Sequence, residues 1–329
     1  MSSQNNHSQL VAYLGPPSSY SHQATLSYFS HLSPTSITPV PTITSIFHHV
    51  HTRAVTYGVV PFENSTHGSV VQTLDLFADR EGSFPDLFVC GEVYLPVRHC
   101  LLVHKSSRIR TEEKDDKATD ISLLKIKTIY SHPQALGQCQ RYIHKHISPS
   151  VSLQDVSSTS RAAEIVSQDP SGTTAAIASS LSAQAHGLSI LAEGIEDRPD
   201  NATRFLIIQK ATGDDSDGVE ETSSNSIPPP KCKTLISFTI PHTLPGALSD
   251  ALSVFKAHSL NLTSINSRPS RDRPWHYVFF VEVEGRKGSE RGNVVGRALD
   301  ELSRVTRERR WLGTWRDALS GKSKREGEE

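Results

Sequence analysis

Thr203 and Arg204 stand side by side just ahead of the apolar run 205–208, in the stretch Asp200-Asn201-Ala202-Thr203-Arg204-Phe205. The run reads as a buried strand, and its entrance is a stiff place to mount chemistry. A threonine hydroxyl can give a proton or a hydrogen bond to a leaving oxygen, and a guanidinium can hold a carboxylate through a planar fork of donors. Taken alone, the stretch reads more readily as an ordinary loop-to-strand corner, with Asn201 and Thr203 satisfying local backbone and Arg204 on the surface. Other polar loops change that balance.

Residues 10–14 form a compact apolar run that stops at Gly15-Pro16-Pro17, and Ser18, Ser19 and Ser21 then open a helix. Free N–H groups at such a start favour an anion, although simple serine capping explains this segment alone at least as well. Residues 57–61 repeat the pattern and deliver Glu63, Asn64 and Ser65 to a helix predicted from Val70, Leu74 and Phe77. Glu63 and Asn64 can orient a substrate, or form an Asx turn with Ser65 as cap. Residues 126–130 run into Ser131-His132-Pro133-Gln134, where Pro133 suits the first helical position. Leu136, Cys139 and Ile143 make the buried stripe of that helix, while Gln134 and Gln138 lie one turn apart on another face, in line with Ser131.

Strand and helix patterns continue to alternate through 151–156, 175–178, 181–186 and 189–191. This implies an α/β architecture with a ligand crevice at the carboxyl ends of the strands, where all these polar sets fall. Residues 108–127 carry charge without periodicity and read as a solvated surface insertion. Residues 213–230 are rich in Asp, Ser, Gly, Glu and Pro and read as a linker. Beyond it, strand patterns at 236–240, 260–265, 277–283 and 311–315 interleave with helical spacing at 248–255 and 294–302, a ferredoxin-like βαββαβ module.

A chain of 329 residues is long enough for about two or three domains. A net charge of -1 gives no general drive toward nucleic acid or an anionic membrane, so a small-molecule partner is expected. Cys90, Cys100, Cys139 and Cys232 form no Cys-x-x-Cys pair and read as reduced, packed thiols. Residues 1–9 lack the apolar core of a signal peptide, and no apolar run approaches the length of a membrane span, so a cytoplasmic protein is expected.

These loops together resemble the prephenate dehydratase family, whose members decarboxylate and dehydrate prephenate to phenylpyruvate in phenylalanine synthesis. The family segment Gly-Pro-x-Gly-Thr-Phe-Ser-His-Gln-Ala is similar to residues 15–24, where Ser18, Ser19 and Tyr20 replace Gly, Thr and Phe. Pro-x-Glu-Asn-Ser matches 61–65, with Gly68 following; Ser-His-Pro-Gln-Ala-Leu-x-Gln-Cys matches 131–139; Thr-Arg-Phe matches 203–205, with Asn201 ahead of it. The resemblance runs from Tyr13 to the neighbourhood of Trp315 and implies a two-lobed, type II periplasmic-binding-protein-like catalytic domain at 9–212, its second lobe at roughly 95–192. It further implies a disordered linker at 213–232, an ACT domain at 233–316 that binds phenylalanine as a feedback inhibitor, and a charged tail at 317–329. Pro245-Gly246-Ala247-Leu248 matches the ACT glycine-alanine-leucine site, and Asn266-Ser267-Arg268-Pro269 matches Glu-Ser-Arg-Pro except at Asn266. Those seven positions from Gly246 to Leu248 and from Asn266 to Pro269 are the expected phenylalanine site.

Prephenate carries two carboxylates and a ring hydroxyl, and aromatisation drives the loss of carbon dioxide and of that hydroxyl. No metal or organic cofactor is therefore expected. Thr203 is expected to protonate or hydrogen-bond the departing hydroxyl, a role worth about 10²- to 10⁴-fold in rate. As a poor acid it requires a dry, preorganised site or a proton passed from a neighbour. Asn64, Ser131, Gln138 and Glu63 complete the expected catalytic set; Arg204, Ser19, Ser21, Ser65 and Phe205 are the expected substrate contacts. A strong cation on the departing carboxylate should be absent, since it would stabilise the ground state. Phenylalanine is the expected allosteric ligand, and the ACT domain points to a homodimer or homotetramer.

Arogenate dehydratase, with the same chemistry on an amine-bearing side chain, and a non-catalytic amino-acid sensor are the rival readings. A fused chorismate mutase is not expected, because only a short polar stretch precedes Leu10. His48, His49 and His51 lack a third ligand at suitable spacing, so no metal is expected there. The basic run 304–310, broken by Glu308, reads as solvated helical charge. His22 and His132 are expected to be structural.

Overall fold

A computed structural model describes residues 9–107, 126–211, 231–287 and 293–320. The insertion expected at 108–127 and the linker expected at 213–232 lie almost wholly outside the described residues, as does most of the tail. Lys231 and Cys232 are the exceptions in the linker, and Cys232 already begins a strand.

The first lobe contains β1 (Val11–Leu14), α1 (Tyr20–Tyr28), β2 (Ile37–Val40), α2 (Ile43–His51), β3 (Tyr57–Asn64), β4 (Gly68–Ser69), α3 (Val71–Ala78) and β5 (Leu87–Pro96). β1 lies parallel between β2 and β3. Helices α1 and α2 start where side-chain oxygens replace missing backbone partners: Ser19 accepts from the His22 N–H, and Thr42 from that of Ser45.

The chain then crosses to a second sheet. This lobe holds β6 (Cys100–Val103), β7 (Thr128–Ser131), α4 (Pro133–Gly137), α5 (Gln140–His146), β8 (Ser152–Asp155), α6 (Thr159–Ser167), β9 (Thr174–Ala178), α7 (Ser180–His186) and β10 (Ser189–Glu193), with the strand order β10-β6-β9-β7-β8. It returns to the first lobe as β11 (Ala202–Lys210), antiparallel to both β3 and β5. Outgoing and returning segments run side by side: Val97 N–H donates to Asn201 O at 2.8 Å, and Ile195 N–H to His99 O at 3.1 Å. Two α/β lobes joined by two short crossings make the expected two-lobed domain.

β11 shows why residue parity matters here. Phe205 and Ile207 pack with Val11, Tyr13 and Ala24 on one side of the sheet, whereas Leu206 and Ile208 join Phe47, Phe62 and Trp315 on the other. The strand is buried on both faces, and each such side chain stabilises the fold by about 1.5–3 kcal/mol.

The C-terminal module follows as β12 (Cys232–Thr239), α8 (Ala247–Ala257), β13 (Leu262–Pro269), β14 (Tyr277–Glu284), α9 (Val294–Val305) and β15 (Glu308–Arg316), the expected βαββαβ order. Its sheet, β13-β14-β12-β15, continues into the first lobe through one parallel bridge, Gly313 to Val89. Gly313 has φ +130° and leaves no room for a Cβ against the Val89 backbone, so only glycine permits the join. The expected tail is not free at its start. Asp317 bonds Lys233 at 3.1 Å, and Ala318 N–H donates to Glu92 at 2.9 Å, holding this segment on the domain boundary.

Candidate active site

A cavity of about 230 Å³ opens between the lobes. The first lobe contributes Ser19, Tyr20 and Ser21 from the start of α1, Asn64 from the end of β3 and Thr203 from the start of β11; the second contributes His132, Gln134 and Gln138 around α4 and Ser157 to Thr159 at the start of α6. Three helix starts thus converge on one space. Ser19, His132 and Ser158 each cap one N–H, and the remaining first-turn donors lean toward a bound anion. Among the described lining residues there is no Lys, Arg, Asp or Glu. A carboxylate here meets neutral donors.

Asn64 sets the geometry of Thr203. Its Oδ1 accepts from the Thr66 and His67 N–H groups, both at 3.0 Å, which turns the amide nitrogen toward Asn201 Oδ1 at 2.9 Å and Thr203 Oγ1 at 3.0 Å. Because Thr203 Oγ1 accepts from Asn64, its own proton is left to donate into the cavity.

The opposite wall carries a residue that sequence reasoning missed. His99, 1% exposed, lies on the outgoing crossing and lines the cavity. Its Nδ1 is 2.9 Å from the Tyr20 hydroxyl and its Nε2 is 2.8 Å from Gln138 Oε1. Burial lowers the imidazole pKa, and Gln138 and Glu196, which act in the other direction, do not offset it. Glu196, on the returning segment, accepts from the His99 N–H at 2.9 Å and from Arg98 at 2.7 Å. At the end of the cleft beside α6, Ser18 and Ser160 hydroxyls meet at 2.7 Å, joining the lobes directly.

The family profile for prephenate dehydratase matches residues 11–213, and that for the ACT domain matches residues 234–292. The chain belongs to the prephenate dehydratase family. It is accordingly an enzyme of aromatic amino-acid biosynthesis, a lyase with an ACT regulatory domain. A bifunctional chorismate mutase/prephenate dehydratase of Aquifex aeolicus is 39% identical over 94% of this chain and 74% of its own length. A prephenate dehydratase from Arthrobacter aurescens, solved in complex with L-Phe, superposes with a TM-score of 0.75 at 26% identity, covering 94% of this chain and 90% of its own. GqqA, described as a novel type of quorum quenching acylase, also superposes with a TM-score of 0.75 at 26% identity, covering 95% and 100%.

Five expected site residues of the dehydratase lie outside the cleft. Ser131 is fully buried and donates to Ile177 O at 2.6 Å, bracing β7 against β9. Phe205 packs in the core beneath α1. Ser65 accepts from Ala202 N–H at 3.0 Å and fastens the turn after β3 to β11. Glu63 and Arg204 face the opposite side of the sheet from Asn64 and Thr203, because successive strand residues alternate and the pairs Asn64–Thr203 and Glu63–Arg204 are in register. Arg204 is 6% exposed and is clasped by Glu92 at 2.6 Å and by Glu282 of the ACT domain. It also lies over the rings of Phe62, Tyr94 and Trp315. Burial would lower its pKa, but Glu282 and Glu92 raise it further, so the charge is permanent. Lys233 joins the cluster through Glu92 at 3.2 Å.

The ACT motifs sit at one end of that domain's sheet, where Thr239 of β12, Val278 of β14 and Arg268 of β13 are in register. Gly246 precedes α8 at φ +85°. Ser69 of the catalytic domain donates to Asn266 Oδ1 at 2.5 Å. Arg268 is bonded by Asp75 of α3 at 2.8 and 3.2 Å, so its guanidinium is turned to the catalytic domain. Among the described residues no group of three or more His, Cys, Asp or Glu is placed to hold a metal ion. His51 instead pairs with Asp86 at 2.8 Å, and His22 accepts from the Ser18 N–H at 3.0 Å while stacking on Tyr13.

Proposed function

We propose that this cleft converts prephenate to phenylpyruvate with Thr203 as the donor to the departing hydroxyl. The observation that carries the reading is the Asn64 to Thr203 hydrogen bond, which leaves the threonine proton free for a group bound in the cavity. As the carboxylate leaves as carbon dioxide, the electron pair of the breaking C–C bond enters the ring. The ring C–O bond then breaks with its own pair, and the oxygen takes one proton, drawn ultimately from water, to leave as water. Helix starts at α1 and α6 supply N–H donors to carboxylate without a full cation that would hold the ground state back. Gln138 and Asn64 orient the ring, and the uncharged lining favours the expulsion of a neutral molecule.

Prephenate is favoured over arogenate because, among the described residues, no carboxylate lines the cleft to receive an ammonium group. The catalytic unit is taken as residues 9–212 and the regulatory unit as beginning at the β12 strand. Phenylalanine acts through the ACT domain, in a homodimer or homotetramer located in the cytoplasm. Among the described residues no helix is long and apolar enough to cross a membrane.

The test is to incubate the purified chain with prephenate and, in parallel, with arogenate near neutral pH, and to follow the aromatic products with and without phenylalanine. Rapid formation of phenylpyruvate, suppressed by phenylalanine, is the expected result. Binding without turnover of either compound would indicate a sensor and overturn the catalytic reading.

A further inference from the structure

His99 joins both walls of the cleft, yet it lies outside the short motifs at 15–24, 61–65, 131–139 and 203–205. Its ring reaches Tyr20 of α1 through Nδ1 and Gln138 of α4 through Nε2, at 2.9 and 2.8 Å. Resting on the prephenate dehydratase reading, we propose that His99 is a positioning residue for this reaction: a neutral imidazole that fixes the side-chain amide of Gln138 so that its NH₂ group is presented to the substrate.

The contact with Gln138 Oε1 carries the arrangement. Gln138 Oε1 can only accept, so the His99 proton resides on Nε2. Nδ1 is then bare, and the single proton of the Tyr20 hydroxyl is shared between Arg98 O at 2.8 Å and Nδ1 at 2.9 Å. With its oxygen occupied, Gln138 has only N–H donors left for the cleft. Its Nε2 stands 3.3 Å from His67 Nδ1 at the cleft rim. Burial keeps the imidazole neutral, and the His99 N–H bond to Glu196 anchors the residue where the two crossings meet. A freely rotating glutamine would present its oxygen half of the time and repel a carboxylate or a ring hydroxyl oxygen.

The experiment compares His99→Asn, His99→Gln, Gln138→Ala and the double variant His99→Asn/Gln138→Ala in the full-length chain. A glutamine amide nitrogen reaches approximately where Nε2 stands, while an asparagine amide ends near Nδ1. Expected results are a fall of about 10- to 100-fold in kcat/KM for His99→Asn, recovery of most of that loss in His99→Gln, and a double variant no slower than Gln138→Ala alone. His99→Gln as slow as His99→Asn, or a double variant whose losses multiply, would overturn the proposal. Thermal unfolding of each variant separates misfolding from mispositioning. Nitrogen-15 NMR of the wild-type imidazole, assigned by its loss in His99→Gln, should report an Nε2–H tautomer; an Nδ1–H tautomer overturns the proposal even if the assay runs as expected. Because that spectrum needs no turnover, a wild-type chain inert toward prephenate would refute the assigned reaction while leaving the tautomer to be read.

Discussion

Thr203 and Arg204, adjacent in β11, face opposite sides of the same sheet: the hydroxyl opens on the interlobe cleft, and the guanidinium is clasped by Glu92 and by Glu282 of the ACT domain. One peptide unit therefore separates the proposed donor to the leaving hydroxyl from a buried ion cluster shared by the two domains.

Thr203→Ala should lower kcat by at least about 10²-fold with little change in KM, because the hydroxyl acts on developing charge at the leaving oxygen more than on bound substrate. Thr203→Ser keeps the hydroxyl and the bond from Asn64 and should retain most of the activity. Steady-state kinetics on both variants decides the matter. An alanine variant with near-normal turnover would remove Thr203 from the mechanism.

Arg204→Met should leave KM for prephenate nearly unchanged, since the guanidinium never reaches the cleft, but should destabilise the fold by about 3–5 kcal/mol by stranding buried Glu92 and Glu282. Adding Glu282→Gln should return part of that stability. Denaturant unfolding measures the losses, and phenylalanine titration should show weakened inhibition in the single variant. A large rise in KM with normal stability would instead place Arg204 on the substrate.

Much of the architecture was legible because β11, β1 and β9 are runs of buried apolar residues and because α1, α2, α6 and α7 begin at serine or threonine caps. The polar loops at strand ends were legible for the same reason. What the letters could not settle was parity. Glu63 and Asn64, like Arg204 and Thr203, fall in one motif, and only the partner on each face of the sheet separates a cleft residue from an interdomain one. Ser131 carries a motif serine whose hydroxyl serves the backbone of β9. His99 escaped notice for another reason: Tyr20 and Gln138 are 79 and 39 positions away, and the segment Val97-Arg98-His99 has no local pattern that announces them.

Asp75→Asn should make the dehydratase more sensitive to phenylalanine. Burial tends to raise the Asp75 pKa, but Arg268 and Arg80 outweigh it and hold the carboxyl below its usual range, so at neutral pH it is charged and occupies Arg268. Removing that charge frees Arg268, part of the expected phenylalanine motif, and should lower the half-inhibitory concentration about fivefold or more. Inhibition curves for the two proteins provide the measurement. An unchanged curve would mean that Arg268 serves docking alone.

Acidification should destabilise the fold before any carboxylate titrates. Burial depresses the pKa of His99, and of His22 and His132, below the ordinary imidazole value of 6.5. As pH falls through about 6.5 the unfolded chain takes up these protons while the folded chain does not, so stability present above that pH is progressively lost until the folded pKa is reached. Tyr20, Gln138 and Glu196 surround His99, and the charge of Glu196 is paired with Arg98 at 2.7 Å. The unfolding temperature should therefore drop between about pH 7 and pH 5, and His99→Gln, which has no proton to gain, should flatten that slope. Thermal unfolding at several pH values compares the two. A variant whose slope matches the wild type would shift the effect to His22 and His132, both nearer the surface.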